Sequence, residues 1–373
     1  MKLLHFADLH LDASFAGSGM SSSIAARRRE ELRGALRRIT DLALDEKVDA
    51  ITIAGDLYEQ ERFTQDTGNF VREQFRRVSP VPVLISPGNH DPWVPHSLYR
   101  QVPWPDNVFI FKRSSLQSRT LGDITVWGAA HCSPACKDNL ISGMRAPAGG
   151  IHLLLLHASD TATIPDAKSA LCPLTARDVQ DCAFDLALLG HYHGARLTPA
   201  DRPVLCYPGS PEPLGFDELG PRYVLLVEIE GAEKTARLLD IDSRRYQVLS
   251  LDVSSATTRE NIREMVAGLS REKALDQAYV RLHLTGTLHP DVELNMDGLI
   301  ADLREHFAFL RVHDETYPGY DLESLKRDLT VRGAFVRKMT SLVEDGGPDE
   351  REVARQALFL GLQALDRREL RPE

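Results

Sequence analysis

The sequence predicts an α/β fold in which two β-sheets form layers of one sandwich. Strand-like and helix-like segments alternate over residues 1–85, a pattern typical of layered α/β folds. From Val108 onward the segments become shorter strands, and two of them, 223–229 and 236–241, flank a turn at 230–232. Five polar clusters each follow an apolar, strand-like run. A two-sheet α/β sandwich with these clusters gathered at one edge would accommodate all three observations.

The helices of the first half are predicted from apolar residues at helical spacing. Leu32, Leu36 and Ile39 recur in this way within residues 25–46, and similar spacing marks residues 64–78. The strands are short and mostly apolar, as buried strands are. The strands expected up to residue 241 are 3–7, 50–54, 81–85, 108–111, 124–129, 151–156, 186–189, 204–207, 223–229 and 236–241.

After Tyr246 the pattern restarts, which predicts a second, smaller domain. A β-α-β-α-β unit is expected at 248–253, 258–268, 279–284, 292–307 and 310–312. Two helical stretches follow it, at 322–345 and 348–368, with Gly346, Gly347 and Pro348 between them. We therefore expect three segments, which are 1–245, 246–318 and 319–373.

The composition is that of an ordinary soluble protein. Hydrophobic residues make up 43% of the 373 residues, and no apolar stretch approaches the roughly 20 residues that a membrane helix needs. The N-terminus lacks the basic-then-apolar layout of a signal peptide. The five cysteines form no CxxC pair, which favours reduced thiols. We expect a cytoplasmic protein with no membrane partner.

The charge is acidic overall but unevenly distributed. A formal net charge of −10 argues against a general nucleic-acid binder, yet residues 1–120 hold 16 Lys/Arg against 15 Asp/Glu. A locally basic face is therefore one interpretation, and arginines on solvated helix faces are the other. The residues concerned are Arg27, Arg28, Arg29, Arg33, Arg37, Arg38, Arg62, Arg72, Arg76 and Arg77.

The five polar clusters contain the ligand types that two adjacent divalent cations need. They are Asp8-Leu9-His10, Gly55-Asp56, Gly88-Asn89-His90-Asp91, His157 and Gly190-His191-Tyr192-His193. Any one of them is weak evidence, because an isolated histidine is more often structural than a metal ligand. Their joint occurrence at strand ends predicts a binuclear metal site. The imidazoles suit Mn²⁺, Fe²⁺ or Zn²⁺ better than Mg²⁺.

The ligands divide into two sites that share Asp56, since a carboxylate has two oxygens and can bind two ions. One site would hold Asp8, His10, Asp56 and His193, and the other would hold Asp56, Asn89, His157 and His191. Two such ions would clamp a phosphate ester and activate a water against it. His90 is left free to protonate the leaving oxygen or to stabilise the transition state. Asp12 is interpreted as a helix or turn cap.

The series of clusters resembles the calcineurin-like metallophosphoesterase superfamily over residues 1 to about 230. More narrowly, residues 6–11 and 207–213 resemble the SbcD-type DNA repair nucleases, and the YhaO-like exonucleases among them. The resemblance implies a four-layered α/β/β/α metallophosphoesterase domain, a small α/β capping domain and C-terminal helices. It also implies that those helices engage an SMC-like coiled-coil ATPase of the SbcC type, and that the protein forms a homodimer.

One position departs from that pattern. Archaeal and eukaryotic relatives have a second histidine three residues after the aspartate of the Gly-Asp pair, and it is implicated in orienting the scissile phosphate. Here that position is Glu59. We favour a solvent-exposed side chain at Glu59 over a catalytic one.

Together with the resemblance, these observations favour an Mn²⁺-dependent DNA nuclease that acts in DNA repair and works beside the SbcC-like ATPase. The capping domain would restrict which DNA ends reach the metals. The alternative is a metal-dependent phosphodiesterase or phosphatase for a small phosphate ester. A scaffold that binds DNA ends or the ATPase without turnover is a third hypothesis. A protein phosphatase is disfavoured, because Tyr58, Glu59, Gln60 and Asp91 depart from the motifs of that group.

Overall fold

The computed structural model describes residues 1–15, 19–133, 136–162, 170–231, 233–241, 244–289, 292 and 294–366, apart from the side chains at 348, 349 and 352. The chain divides into two units, Met1–Tyr246 and Gln247–Glu373. The predicted turn residue 232 and the predicted helix end at 367–368 lie outside the described residues. The assignment of functional domains to 1–245, 246–318 and 319–373 stays a prediction.

Two six-stranded mixed sheets form the first unit, which confirms the predicted α/β class. The first sheet is ordered β12-β11-β1-β2-β3-β4, and the second is ordered β5-β6-β7-β8-β10-β9. The strands of the first sheet are β1 (Lys2–Phe6), β2 (Ala50–Ile53), β3 (Val83–Ile85), β4 (Val108–Ile110), β11 (Tyr223–Glu230) and β12 (Glu233–Asp240). Those of the second are β5 (Gln117–Leu121), β6 (Ile124–Gly128), β7 (Ile151–His157), β8 (Leu186–Gly190), β9 (Arg196–Thr198) and β10 (Leu205–Tyr207).

The strands that precede the polar clusters run parallel to one another. In the first sheet β1, β2, β3 and β4 are successive parallel neighbours, with Leu4 opposite Ile51. In the second sheet β6, β7, β8 and β10 are likewise parallel, with His157 opposite Gly190. The carboxyl ends of these strands therefore share an edge within each sheet.

The strand β7 shows why these sheets are buried on both sides. Its leucines alternate, so that Leu153 and Leu155 join one core cluster while Leu154 and Leu156 join another. The first of these clusters also contains residues of the other sheet, such as Leu3 and Leu84, so the two sheets pack face to face. Full burial of each such leucine contributes about 1.5–3 kcal/mol relative to exposure.

Helices connect the parallel strands of the first sheet. The helix α1 (Ser22–Asp45) begins at Ser21, whose hydroxyl accepts the N–H of Ile24, and α2 (Gln65–Arg77) begins with a capping box at Thr64. Each helix buries an apolar stripe. Two shorter helices complete the unit, α3 (Leu98–Gln101) and α4 (Ala176–Asp181).

The second unit contains a small sheet and five helices within its described residues. The three-stranded sheet is ordered β13 (Tyr246–Asp252), β14 (Tyr279–Thr285) and β16 (Phe309–Asp314), and a two-stranded pair joins β15 (Thr287–Leu288) to β17 (Tyr317–Pro318). The helices are α5 (Arg259–Lys273), α6 (Met296–Leu303), α7 (Leu322–Arg327), α8 (Val331–Asp345) and α9 (Pro348–Leu365). The helices α8 and α9 pack through Val336, Leu358 and Leu362.

Two predicted helices differ from the structure. The helix expected at 292–307 is confined to Met296–Leu303, because Asn295 caps its start by accepting the N–H of Gly298. The helix expected at 322–345 is interrupted between α7 and α8, where Thr330 caps α8 by accepting the N–H of Gly333. Within the described residues, no helix combines the length and the apolar character needed to cross a bilayer.

Candidate metal centre

The predicted ligands lie in the loops that follow the parallel strands. Those of the first sheet are Asp8 and His10 after β1, Asp56 after β2, and Asn89 after β3. In the second sheet His157 is the last residue of β7, and His191 and His193 follow β8. The loops interlock, because the N–H of His10 donates to the carbonyl of Asp56 over 2.9 Å.

Four of these residues have a backbone conformation that L-residues rarely adopt. The φ angles of Asp8, His10, Asp56 and His191 are 56°, 50°, 51° and 101°. Each left-handed residue costs about 1–2 kcal/mol, so the surrounding fold must hold it in place. Such outliers cluster at functional sites, which is how these four are distributed.

His10 and His193 approach each other through equivalent ring nitrogens. Their Nε2 atoms are 3.2 Å apart, and Asp8 completes a group whose ligand atoms lie within 4.8 Å of one another. The Nδ1 atoms contact carboxylates, that of His10 at 2.7 Å from Glu59 and that of His193 at 2.7 Å from Glu218. Burial opposes protonation of His193, but its hydrogen bond to Glu218 raises its pKa to about 9, so its Nε2–H can donate to Nε2 of His10. A metal ion would take the place of this shared proton, so the geometry fits a cation between the two rings.

The second group is formed by Asp8, Asp56 and His157, whose ligand atoms also lie within 4.8 Å of one another. The Nδ1 of His157 is 2.8 Å from the carbonyl oxygen of Ala54, to which it donates. Its Nε2 then carries a lone pair, yet it lies 3.3 Å from Oδ2 of Asp56 and 2.8 Å from Oδ1 of Asn89. Burial lowers the pKa of His157 to about 3, so protonation does not resolve this contact between acceptors. A cation again fits.

Asp56 lies between the two groups. Its Oδ2 is 3.7 Å from Nε2 of His10 and 3.3 Å from Nε2 of His157, while its Oδ1 accepts the N–H of His90 over 2.9 Å. Burial opposes ionisation of this carboxyl, but the neighbouring histidines, with His157 the largest contributor, lower its pKa overall. For Asp8 burial prevails and raises the pKa to about 7.

His191 is beside the second group and outside its closest contacts. Its ring centroid is 5.1 Å from that of His157, and its backbone N–H donates to Asp8 over 3.0 Å. Burial lowers the pKa of His191 to about 4. The structure therefore brings all seven predicted ligands into one neighbourhood. Their roles as ligands stay a prediction.

His90 is partly exposed next to these groups. Its side chain is 47% exposed, and its ring centroid is 4.9 Å from that of His10. Its Nδ1 contacts Oε2 of Glu59 at 3.0 Å, and this hydrogen bond raises the pKa of His90 to about 9. Access to solvent and a held proton are what a general acid requires.

Glu59 is not the solvent-exposed side chain that the sequence suggested. Only 21% of its side chain is exposed, because its two oxygens bridge His10 and His90. Burial disfavours the charged form of Glu59, but hydrogen bonds from these two histidines lower its pKa to about 2. The bridge fixes the orientation of a predicted ligand and of the predicted catalytic residue at once.

Two further carboxylates support the site and were not singled out from the sequence. One oxygen of Glu218 accepts a hydrogen bond from Nδ1 of His193, and the other accepts one from the hydroxyl of Ser210. Asp91 is buried and accepts the backbone N–H groups of Asp56, Leu57 and Gly88. Asp91 belongs to the Gly-Asn-His-Asp cluster, so the sequence did indicate that this residue lies at the site. No spacing in the sequence marks Glu218.

Asp12 does not join either ligand group among the residues described. Its Oδ2 accepts the hydroxyl of Thr67 in the first turn of α2. This contact joins two side chains, and the N-cap of α2 is Thr64, so the capping role of Asp12 stays a prediction.

Most arginines of α1 and α2 are paired with carboxylates that offset their positive charge. Six of them form ion pairs, and one partner, Glu212, is completely buried. The pairs are Arg28–Glu212, Arg33–Asp66, Arg37–Glu30, Arg38–Glu212, Arg76–Glu73 and Arg77–Asp41. A basic face made from these six residues is therefore not supported.

One protein family and several known proteins are similar to this chain in sequence. The sequence model of the family described as "Calcineurin-like phosphoesterase" matches residues 1–195. The "Uncharacterized metallophosphoesterase YhaO" of Bacillus subtilis is 26% identical over 352 residues, which cover 87% of this chain and 84% of that protein. The "DNA double-strand break repair protein Mre11" of Haloferax volcanii is 26% identical over 293 residues, covering 76% of this chain and 61% of that protein. The Mre11 protein of Sulfurisphaera tokodaii is 24% identical over 277 residues, covering 71% of this chain and 68% of that protein.

Proposed function

Because this chain belongs to the calcineurin-like phosphoesterase family, whose members use a binuclear divalent metal site, we propose that it hydrolyses the phosphodiester bonds of DNA. Mn²⁺ is the expected metal, with Fe²⁺ and Zn²⁺ as alternatives. The proposed ligands are the seven residues of the site, namely Asp8, His10, Asp56, Asn89, His157, His191 and His193.

One observation carries the proposal. The Oδ2 of Asp56 faces Nε2 of His10 at 3.7 Å and Nε2 of His157 at 3.3 Å, so one carboxylate connects two histidines from different sheets. Positive charge on both sides of Asp56 would make this arrangement favourable, which supports two bound cations. Two bound divalent ions would polarise the phosphate ester and lower the pKa of the attacking water.

The side chains of this protein have separate tasks in the proposed reaction. His90 would donate the proton of an imidazole nitrogen to the departing 3′-oxygen, and it is accessible enough to do so. Glu59 orients His90 and His10 through its two oxygens. Asp91 holds the backbone N–H groups of Asp56 and Gly88, which keeps the two loops in register.

The choice of DNA over a small phosphate ester rests on the relatives. Those from Haloferax volcanii and Sulfurisphaera tokodaii are named for DNA double-strand break repair, and the similarity extends over 76% and 71% of this chain. The family match covers residues 1–195, and by itself it is equally compatible with a small-molecule phosphodiesterase or phosphatase. That hydrolase is the second candidate.

The C-terminal helices offer a surface for the proposed SbcC-like ATPase. An apolar groove of about 470 Å³ lies between α8 and α9, lined by Met339, Leu342, Val353, Ala354 and Ala357 among others. Val353 is 66% exposed beside the other apolar residues of this groove, and contiguous exposed apolar patches are typical of protein interaction sites. An apolar helix from a coiled coil suits such a groove.

The test compares linear duplex DNA with a chromogenic phosphodiester, using the full chain loaded with Mn²⁺ in the presence and absence of a coiled-coil ATPase of the SbcC type. We expect degradation of the DNA, and the variant Asp56→Asn, purified in the same way, should degrade none. Turnover of the small ester alone, even with the ATPase present, would favour the second candidate. Inertness towards both substrates would favour a binding scaffold.

A further inference from the structure

A tryptophan lies next to the candidate metal centre without a role in it. Trp93 follows His90 by three residues and is only partly buried. Its backbone N–H donates to the carbonyl of His131 over 2.7 Å, and Nε2 of His131 is 2.8 Å from the carbonyl oxygen of His157. Two hydrogen bonds thus connect the backbone of Trp93 to a predicted metal ligand.

Two cationic side chains lie over the ring of Trp93. The guanidinium carbon of Arg100 is 5.6 Å from the ring centroid, and Nζ of Lys112 is 5.4 Å from it. Lys112 follows β4 and Asn89 follows β3, and these strands are parallel neighbours. Lys112 is therefore at the same sheet edge as the predicted metal ligands, and Arg100 lies over the same tryptophan ring.

These cations differ from the arginines of α1 and α2. Arg100 and Lys112 are exposed, and neither forms an ion pair with a residue that the structure describes. Exposed Arg113 adds a third positive charge next to Lys112. Asp106, the exposed acidic residue between Arg100 and Lys112 in sequence, forms no ion pair with either of them in the described part of the chain. Asp91, close to Trp93 in sequence, is buried and occupied by backbone N–H groups. Positive charge at this edge is thus not neutralised locally.

We propose that Trp93, Arg100 and Lys112 form a platform that binds the DNA strand entering the candidate metal centre, through an unpaired base and its adjacent phosphates. The inference rests on the proposed function and specifies its substrate as a strand with at least one unstacked base. Aromatic rings beside unpaired cations are how proteins hold single strands, because every base has a face that stacks.

On binding, the base would replace a cation over the ring of Trp93, and that cation would move to a phosphate. A cation over a tryptophan ring gains about 0.5–1 kcal/mol at an exposed site, whereas a phosphate gives it a charge-assisted hydrogen bond. When Arg100 or Lys112 moves to a phosphate, it uncovers the ring face that a base can occupy. The platform therefore selects a polynucleotide and gives a small phosphate ester little to contact.

The first test measures KM for a single-stranded oligonucleotide and for a chromogenic phosphodiester with Mn²⁺-loaded protein. For Trp93→Ala we expect KM for the oligonucleotide to rise about 5- to 100-fold more than KM for the small ester, which corresponds to the loss of one stacked base. Trp93→Phe keeps a ring and should restore most of the difference. Arg119→Ala is the matched control, because Arg119 is an exposed cation over another ring, that of Phe109, which belongs to β4 itself.

The second test needs no catalysis. The chain has three tryptophans, so the double variant Trp104→Phe/Trp127→Phe keeps Trp93 as its single tryptophan. Without added metal, its fluorescence should be quenched by the oligonucleotide, and less so after Lys112→Ala. If DNA is not cleaved by wild-type protein but the quench is seen, the proposed function fails and the platform stands. Equal KM changes for both substrates, or no quench, would overturn the platform while leaving the proposed function intact.

Discussion

The Nδ1 atom of His10 is 2.7 Å from Oε1 of Glu59, and the other oxygen of Glu59 contacts His90. One carboxylate therefore orients a predicted metal ligand and a predicted catalytic residue. Carboxylates that orient ligating histidines contribute about 10- to 100-fold to metal affinity or activity. We expect Glu59→Ala to lower kcat by about that factor. Exposed Glu61, two residues away, provides the control Glu61→Ala. Equal kcat and metal affinity in both variants would exclude the role of Glu59.

The roles of His90 and His191 are separable by metal analysis. His90→Ala should reduce kcat by about 10²- to 10⁴-fold, because a proton donor is lost, while both metal ions stay bound. His191→Ala should weaken one metal site, because a ligand is lost. Mass spectrometric metal analysis together with initial rates distinguishes the two cases. A loss of metal from His90→Ala would identify His90 as a ligand.

Asp91 is expected to stabilise the fold of the site. It accepts three backbone N–H groups and the hydroxyl of Tyr99. Asp91→Ala leaves those buried donors without an acceptor and should lower the free energy of unfolding by at least about 3 kcal/mol. Tyr99→Phe removes one donor only and should cost about 1 kcal/mol. Urea denaturation compares the two, and a similar loss in both variants would contradict this account.

Cys136 should be the most reactive thiol of the chain. A hydrogen bond from Cys172 lowers the pKa of Cys136 to about 7, whereas the pKa values of Cys132, Cys172, Cys182 and Cys206 are raised. Above pH 7 the thiolate of Cys136 prevails, and the thiolate is the nucleophile. Iodoacetamide at pH 7.5 should label Cys136 first, as followed by peptide mass spectrometry. Cys172→Ala should slow this labelling, and an unchanged rate would show that Cys172 does not activate Cys136.

The sequence predicted correctly those features that a single strand determines. Apolar runs ending in Asp8, Asp56 or His157 predicted both the strand and the position of its polar residue, because parallel strands end at a common edge. The α/β class with two sheets and the resemblance to the metallophosphoesterases are both confirmed by the structure and the family match.

The rest depends on contacts between distant segments, which periodicity cannot indicate. Glu59 was expected in solvent. Its two partners, His10 and His90, come from other loops, so the sequence around Glu59 does not indicate them. Glu218 is 25 residues from His193 and reaches it only in the folded chain. For the arginines of α1 and α2 a basic face and solvated helix faces were both open, but six of them pair with carboxylates such as Glu212, which is 174 residues from Arg38. The interruption before α8 is a local effect of Thr330 that helical spacing alone did not reveal.

The count of metal ions bound per chain tests the central claim most directly. Wild-type protein and Asp56→Asn would be equilibrated with Mn²⁺, freed of unbound metal and analysed by inductively coupled plasma mass spectrometry, with circular dichroism as the check on folding. The account predicts two ions per wild-type chain and no more than one in Asp56→Asn, because the carboxylate between His10 and His157 is lost. Fewer than two ions in the wild type, or two retained by a folded Asp56→Asn, would contradict it.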